Sequence, residues 1–277
     1  SGVGALASGW QGAVAAGVIG LSVLGSAAWS MLQSQRTAQE RRMQPQWSRG
    51  NVLGVVTAVG LLHLATLFQI NLDQAALLWR LSACVVLWVA LRLAHPAMAL
   101  QAAALHVIAA LLYLGHTTPE WHADASLDAF ANLGFWTPVV LGLSALLCGY
   151  WLQGHAQRVQ AALESDADVD TNNTPWFNDW CNTPRVLWAP VVWGLAWWLL
   201  GVGSESGRVL RYFGHVDVLP AAYVAWVLLT SVVALQVAQW RHWTQLRWAT
   251  LATLPGFVLV ALFALAQGSA NGLAYVP

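Results

Sequence analysis

The chain has 277 residues, of which 58% are apolar and only 9% charged, where a soluble domain carries about 25% charged residues. Twelve basic residues balance twelve acidic ones, so there is no electrostatic footprint for nucleic acid. A single soluble core of this length would leave a large apolar patch in water. The composition therefore argues for a chain embedded in a bilayer.

Eight apolar runs follow in order: 10–32, 51–69, 74–93, 97–114, 130–153, 186–203, 218–239 and 248–267. Each approaches the roughly 20 residues a helix needs to cross a hydrocarbon core of about 30 Å. The clearest is Arg185–Gly203, uncharged from Val186 to Ser204 and carrying Trp188, Trp193, Trp197 and Trp198. Many of the eighteen tryptophans sit near run ends, where an amphipathic indole favours the membrane interface. The expected fold is all-α: a polytopic transmembrane bundle of about eight helices.

All twelve basic residues are arginines, which reads as a GC-rich bacterial coding bias. Nine lie in the odd-numbered connections between runs and two in the even-numbered ones, with Arg80 inside the third run. The excess of arginine places the odd connections in the cytoplasm and both ends of the chain outside, in a bacterial inner membrane. The stretch 164–175 (ESDADVDTNNTP) has no apolar period and is expected to be a mobile acidic part of a cytoplasmic loop at 154–184. There is no initiator methionine or signal peptide, so the chain is expected to be a segment of a longer polypeptide.

An internal repeat organises the runs. Gly20, Leu21, Ser22, Leu24, Trp29, Gln35 and Arg36 recur, ungapped, as Gly142, Leu143, Ser144, Leu146, Trp151, Gln157 and Arg158. Downstream, Leu72, Ala75, Trp79, Leu81, Val85, Val86 and His95 align with Leu219, Ala222, Trp226, Leu228, Val232, Val233 and His242. A weaker block pairs Val52, Leu53, Gly60 and Leu61 with Val186, Leu187, Gly194 and Leu195. The reading is two tandem, parallel four-helix repeats, 1–115 and 130–277, joined by an outer acidic and histidine-bearing loop at 116–129. Parallel repeats occur in transporters, although duplication serves a scaffold equally well.

Few residues suggest chemistry. Arg80 either faces the bundle interior, as an anion or headgroup contact, or lies near the start of a helix and snorkels to the outer interface. The second is favoured because Asp73 marks a boundary seven residues earlier. His63 and His106 lie inside runs; each could relay protons, but neither has an acid or second histidine at helical spacing, so a neutral imidazole bonded to its neighbours is expected. In the repeat alignment Trp197 stands where the first half has His63. Glu205 and Arg208 are expected to form a weak surface ion pair or line a polar mouth. His116, Glu120, His122 and Asp124 match no closed zinc motif, and the three cysteines form no disulfide or metal pattern. No cofactor is expected, and no ordered nucleophile–base–acid set is present.

At Trp79–Arg92 (WRLSACVVLWVALR) and Trp193–Glu205 (WGLAWWLLGVGSE) the chain resembles the large bacterial predicted membrane proteins of domain-of-unknown-function family 2339. The shared features are Trp79, Trp88, Leu91 and Arg92, and the pair Trp197–Trp198 followed by Gly201, Gly203 and Glu205. The chain departs from the family at Ser82, where members often carry a glutamate. The resemblance implies an inner-membrane location and transfers no catalytic residue.

The functional expectation is a structural or binding role in the cell envelope, with transport as a further use. Binding positions would be Arg80, His63, Trp197, Trp198 and Glu205, with a transport path near Arg80, His63 and the sixth run. The alternative is a membrane-embedded enzyme acting on lipid-linked envelope substrates, built around Glu120, His122, Asp124 and Glu205. Expected partners are the lipid bilayer and the remaining helices of a longer polypeptide, with no nucleic acid and the oligomeric state open.

Overall fold

The computed structural model describes residues 49–67, 72–93, 95–116, 129–164, 175–215 and 218–251, with isolated positions at 14, 18, 21, 22, 25, 29, 253 and 258. Among these residues the fold is helical with no strand. The chain divides into two compact units, 1–116 and 117–277. The first contains α1 (Arg49–Leu67), α2 (Leu72–Leu93) and α3 (Pro96–His116); the second contains α4 (Leu133–Glu164), α5 (Pro175–Asn182), α6 (Pro184–Tyr212) and α7 (Leu219–Trp240). A further helical stretch, α8, runs over 244–251.

Five of these helices are long and apolar enough to cross a membrane: α2, α3, α4, α6 and α7. The expected run at 51–69 is helical, but its apolar part, Leu53–Leu67, is shorter, reaching only about 22 Å at 1.5 Å per residue. Most of the first and eighth runs lies outside the described residues, as do 117–128 and 165–174.

In the first unit α2 and α3 form a helical hairpin. Pro96 opens α3, where its missing N–H costs nothing, and the His95 N–H closes back on the Ala90 carbonyl at 2.9 Å. The contacting faces are made of small side chains. Ala75, Ala76, Ala83 and Ala90 are buried on α2, and Ala99, Ala102, Ala109 and Ala110 on α3. Helices packed on alanine approach closely and gain dispersion contact without needing water to drive them together.

The second unit is built around α4 and α6, which run antiparallel. A Cβ on Gly142 would lie 2.7 Å from the Gly194 carbonyl oxygen, one on Gly201 would touch Pro138, and one on Gly149 would meet Pro190 and Val191. At Gly142 the two backbones themselves meet and only glycine fits, whereas at Gly201 and Gly149 the neighbours are side chains of the facing elements in tight contact. Tyr223 of α7 lies across Gly203 and Gly207 of α6. Val191, Leu195, Ala234, Ala238, Trp243, Leu246 and Ala249 form the apolar core of α6, α7 and α8, with Leu146, Tyr150 and Trp188 packed against it.

Two loop expectations are corrected. Residues 154–164 continue α4 rather than opening a loop, and α5 occupies 175–182. Phe177 and Cys181 are fully buried on one face of α5, with the His155 ring 6.0 Å from that of Phe177; this burial offsets the entropy of ordering the segment. Likewise Ser204–Tyr212, expected in a loop, extend α6.

Candidate functional site

Three polar clusters sit within the apolar helices. In the first, α1 meets α2 through two residue pairs, each with the i,i+3 spacing that shares a helix face. His63 bonds through Nδ1 to the Val59 carbonyl at 2.6 Å, and its Nε2 bonds to the Ser82 hydroxyl. With Nδ1 protonated toward a carbonyl, Nε2 is the acceptor and Ser82 the donor. Trp79 donates Nε1–H to Thr66 Oγ1 at 2.8 Å, Thr66 donates to the His63 carbonyl at 2.7 Å, and the Trp79 ring meets His63 edge-on at 5.4 Å. His63 is thus bonded to a backbone carbonyl of its own helix and to a side chain of the next. Gln101 of α3 adds a bond to the Val56 carbonyl at 2.9 Å.

Arg80 points the other way, two residues from Ser82 and so on the opposite face of α2. It is completely buried, donates Nη2–H to the Ala109 carbonyl at 3.2 Å, and lies 6.0 Å from the Tyr113 ring centroid. The favoured snorkelling reading is therefore wrong. Helix α2 already begins at Leu72, which leaves Arg80 two turns inside the helix, where α3 supplies an acceptor at the Ala109 carbonyl.

The third cluster lies in the second unit, where α6 meets the start of α4. Glu205 is 4% exposed, so its pair with Arg208 is not a surface pair. Arg208 donates Nη2–H to Oε1 at 2.8 Å and Nε–H to Oε2 at 3.0 Å. Oε1 also accepts the Phe130 backbone N–H at 2.8 Å and Asn132 Nδ2–H at 3.0 Å. Asn132 in turn caps α4 by accepting the Phe135 N–H at 2.8 Å. Phe130 has φ of 61°, a left-handed conformation costly for a bulky residue, and the bond to Glu205 holds it there. The carboxylate is engaged by four donor groups, three on Oε1 and one on Oε2.

Trp197 is buried, with its ring 5.7 Å from that of Trp193. Trp198 donates Nε1–H to Thr230 Oγ1 at 3.1 Å and so joins α6 to α7. His106 bonds to the Ala102 carbonyl at 3.3 Å. Glu120, His122 and Asp124 lie outside the described residues. The partners Thr66, Asn132 and Phe130 were not singled out from the sequence, and Ser82 was noted there only as a departure from the resembled family, not as a partner of His63. The only available signal was the matching i,i+3 spacing of His63 with Thr66 and of Trp79 with Ser82.

The second unit also has an apolar groove of about 510 Å³ bounded by α4, α6, α7 and α8. Its walls include Leu143, Leu147, Leu229 and Val233, all exposed, and Trp198 and Thr230. Among the described residues of the lining Arg241 is the only charged one.

The class these features define is an all-helical chain with several apolar helices, compatible with a multi-pass membrane protein. Comparison with protein-family models, with curated proteins and with solved structures found no match.

Proposed function

We propose that the chain is a multi-pass segment of the bacterial inner membrane with a structural or binding role in the cell envelope. The observation that carries this reading is the way its polar groups are used. His63 with Ser82, Arg80 with the Ala109 carbonyl, and Glu205 with Arg208, Asn132 and the Phe130 N–H each join one helix to another or to its start. In hydrocarbon a polar side chain is costly unless satisfied, and one satisfied between helices fixes their register. Such latches suit a scaffold better than a proton relay or a catalytic centre, and the engagement of Glu205 weighs against the enzyme alternative. Transport remains the same proposal extended to a path that these latches would have to open.

The resemblance of Trp79–Arg92 and Trp193–Glu205 to family 2339 fits this reading and is part of it. So is the tandem repeat: Ser22 and Ser144, matched in the alignment, both turn back onto their own helices, to the carbonyls of Val18 and Leu141. The arginine distribution supports cytoplasmic odd connections and periplasmic ends.

The test is topology mapping. Reporter fusions after Arg49, His95, Glu164 and His242 should report the cytoplasm, fusions after His116 and His215 the periplasm, and the chain should resist alkaline-carbonate extraction. Release by carbonate, or a reversed reporter pattern, defeats the proposal.

A further inference from the structure

The groove of the second unit has a shape and a charge that the latch reading leaves unused. It is apolar along its length and open on one side, where Leu143, Leu147, Leu229 and Val233 are 49%, 42%, 53% and 54% exposed. Along α7 it runs from Trp226 to Arg241, roughly 22 Å at 1.5 Å per residue, enough for an acyl chain that fills one leaflet of about 15 Å. Its one charge stands at one end. The Arg241 guanidinium lies 4.3 Å from the Trp240 ring centroid and 5.8 Å from that of Tyr150. Among the described residues no carboxylate pairs with it.

The turn that carries Arg241 is fixed. His242 takes φ of 52°, its carbonyl accepts Gln153 Nε2–H at 3.0 Å, and the Trp243 N–H closes on the Ala238 carbonyl at 2.8 Å. The cation is thus presented at a set height beside two aromatic rings, as at a membrane–water boundary. An apolar trough that ends in one uncompensated cation is complementary to a molecule with an alkyl chain and an anionic head.

We propose that this groove seats one acyl chain of an anionic phospholipid, with Arg241 holding the phosphate. The inference rests on the membrane reading and adds the ligand class. The seventh connection, with Arg241 and Arg247, is on the cytoplasmic side by the arginine rule, and the cytoplasmic leaflet is where anionic lipids are recognised.

The experiment uses the full chain with Val233→Cys, an exposed position in the groove, labelled with a fluorophore. The native cysteines Cys84, Cys148 and Cys181 are buried. The protein is reconstituted in phosphatidylcholine vesicles doped with acyl-brominated phosphatidylglycerol or with acyl-brominated phosphatidylcholine. Brominated phosphatidylglycerol should reach half-quenching at about five-fold lower mole fraction, the effect of one arginine near an anionic surface. Arg241→Gln should abolish that preference and Arg241→Lys should retain most of it. Equal quenching by both lipids, or a preference that survives Arg241→Gln, overturns the proposal. Absence of quenching by either lipid in a chain that resists carbonate extraction means that another helix fills the groove, and overturns it too. Release of the chain by carbonate overturns the membrane reading itself, and the lipid site with it.

Discussion

Gly142 and Gly194 face each other with their backbones in contact: a Cβ on Gly142 would stand 2.7 Å from the Gly194 carbonyl oxygen, and one on Gly194 2.8 Å from the Gly142 oxygen. The obstacle on each side is backbone, which cannot rotate away as a side chain can. Gly142→Ala should therefore force α4 and α6 apart and cost about 1–3 kcal/mol, the usual range for overpacking. Gly154, on the same helix with open space around it, is the control; Gly154→Ala should be neutral or stabilising by up to about 1 kcal/mol. Denaturant titration in mixed micelles measures both. Equal effects at the two glycines would mean that the close approach does not limit stability.

Glu205 binds the start of α4 to α6 through Phe130, Asn132 and Arg208. Glu205→Ala leaves a backbone N–H and a guanidinium without their acceptor, and should cost roughly 1.5–3 kcal/mol, the range for hydrogen bonds to a charged group. Arg208→Gln and the double variant complete a cycle. A coupling of at least about 0.5 kcal/mol is expected for residues in one network, and strict additivity would show that the pair does not act as a unit.

Ser82→Ala removes the hydroxyl that bonds His63 Nε2, and Thr66→Ala removes the acceptor of Trp79 Nε1–H. Each should cost about 1–3 kcal/mol and loosen α1 before α2 and α3, because α1 is held to them partly by these bonds. Hydrogen exchange resolved by helix is the readout: α1 amides should lose protection while those of α2 and α3 keep it. Uniform loss across the unit would contradict the latch.

Arg80 gives an accessibility test. Arg80→Cys should resist membrane-impermeant thiol reagents applied from either side, since the native side chain is fully buried. A snorkelling arginine would leave a cysteine that reacts from the outer side.

Cys181, outside the long apolar helices, has its thiol pushed up to about 12 by burial. In the folded chain it stays neutral through physiological pH and reacts slowly with maleimides, because the thiolate is the nucleophile. The sign of the pH effect follows. The unfolded thiol ionises near the ordinary cysteine value of 9.0, so the folded state binds more protons above that pH and stability falls between about pH 9 and 12. Cys181→Ala should flatten that alkaline decline, which a pH series of unfolding midpoints would show.

The helical spans were legible in the sequence because apolar length is a local property, and a run such as 186–203 announces itself wherever it packs. Their ends were not legible. Charged residues after Gly203 suggested a loop, yet α6 continues because Glu205 finds donors on Phe130 and Asn132, 75 and 73 positions earlier. The helical end of α4 and the α5 turn were hidden for a similar reason: Phe177 and Cys181 become buried only once the His155 face of α4 is beside them.

The sequence by itself determined the apolar, helical class, since 58% apolar residues with 9% charged in long runs leave few other solutions. Only tertiary structure decided what the charged residues do. Arg80 looked like an interfacial cation and became a buried donor to α3. Glu205 looked like a surface acid and became an anchor for α4. Arg241, an unremarked loop arginine, became the single charge at the end of an apolar groove. A side chain's role depends on which acceptors, donors and surfaces other helices bring to it, and that arrangement is not a local property of the sequence.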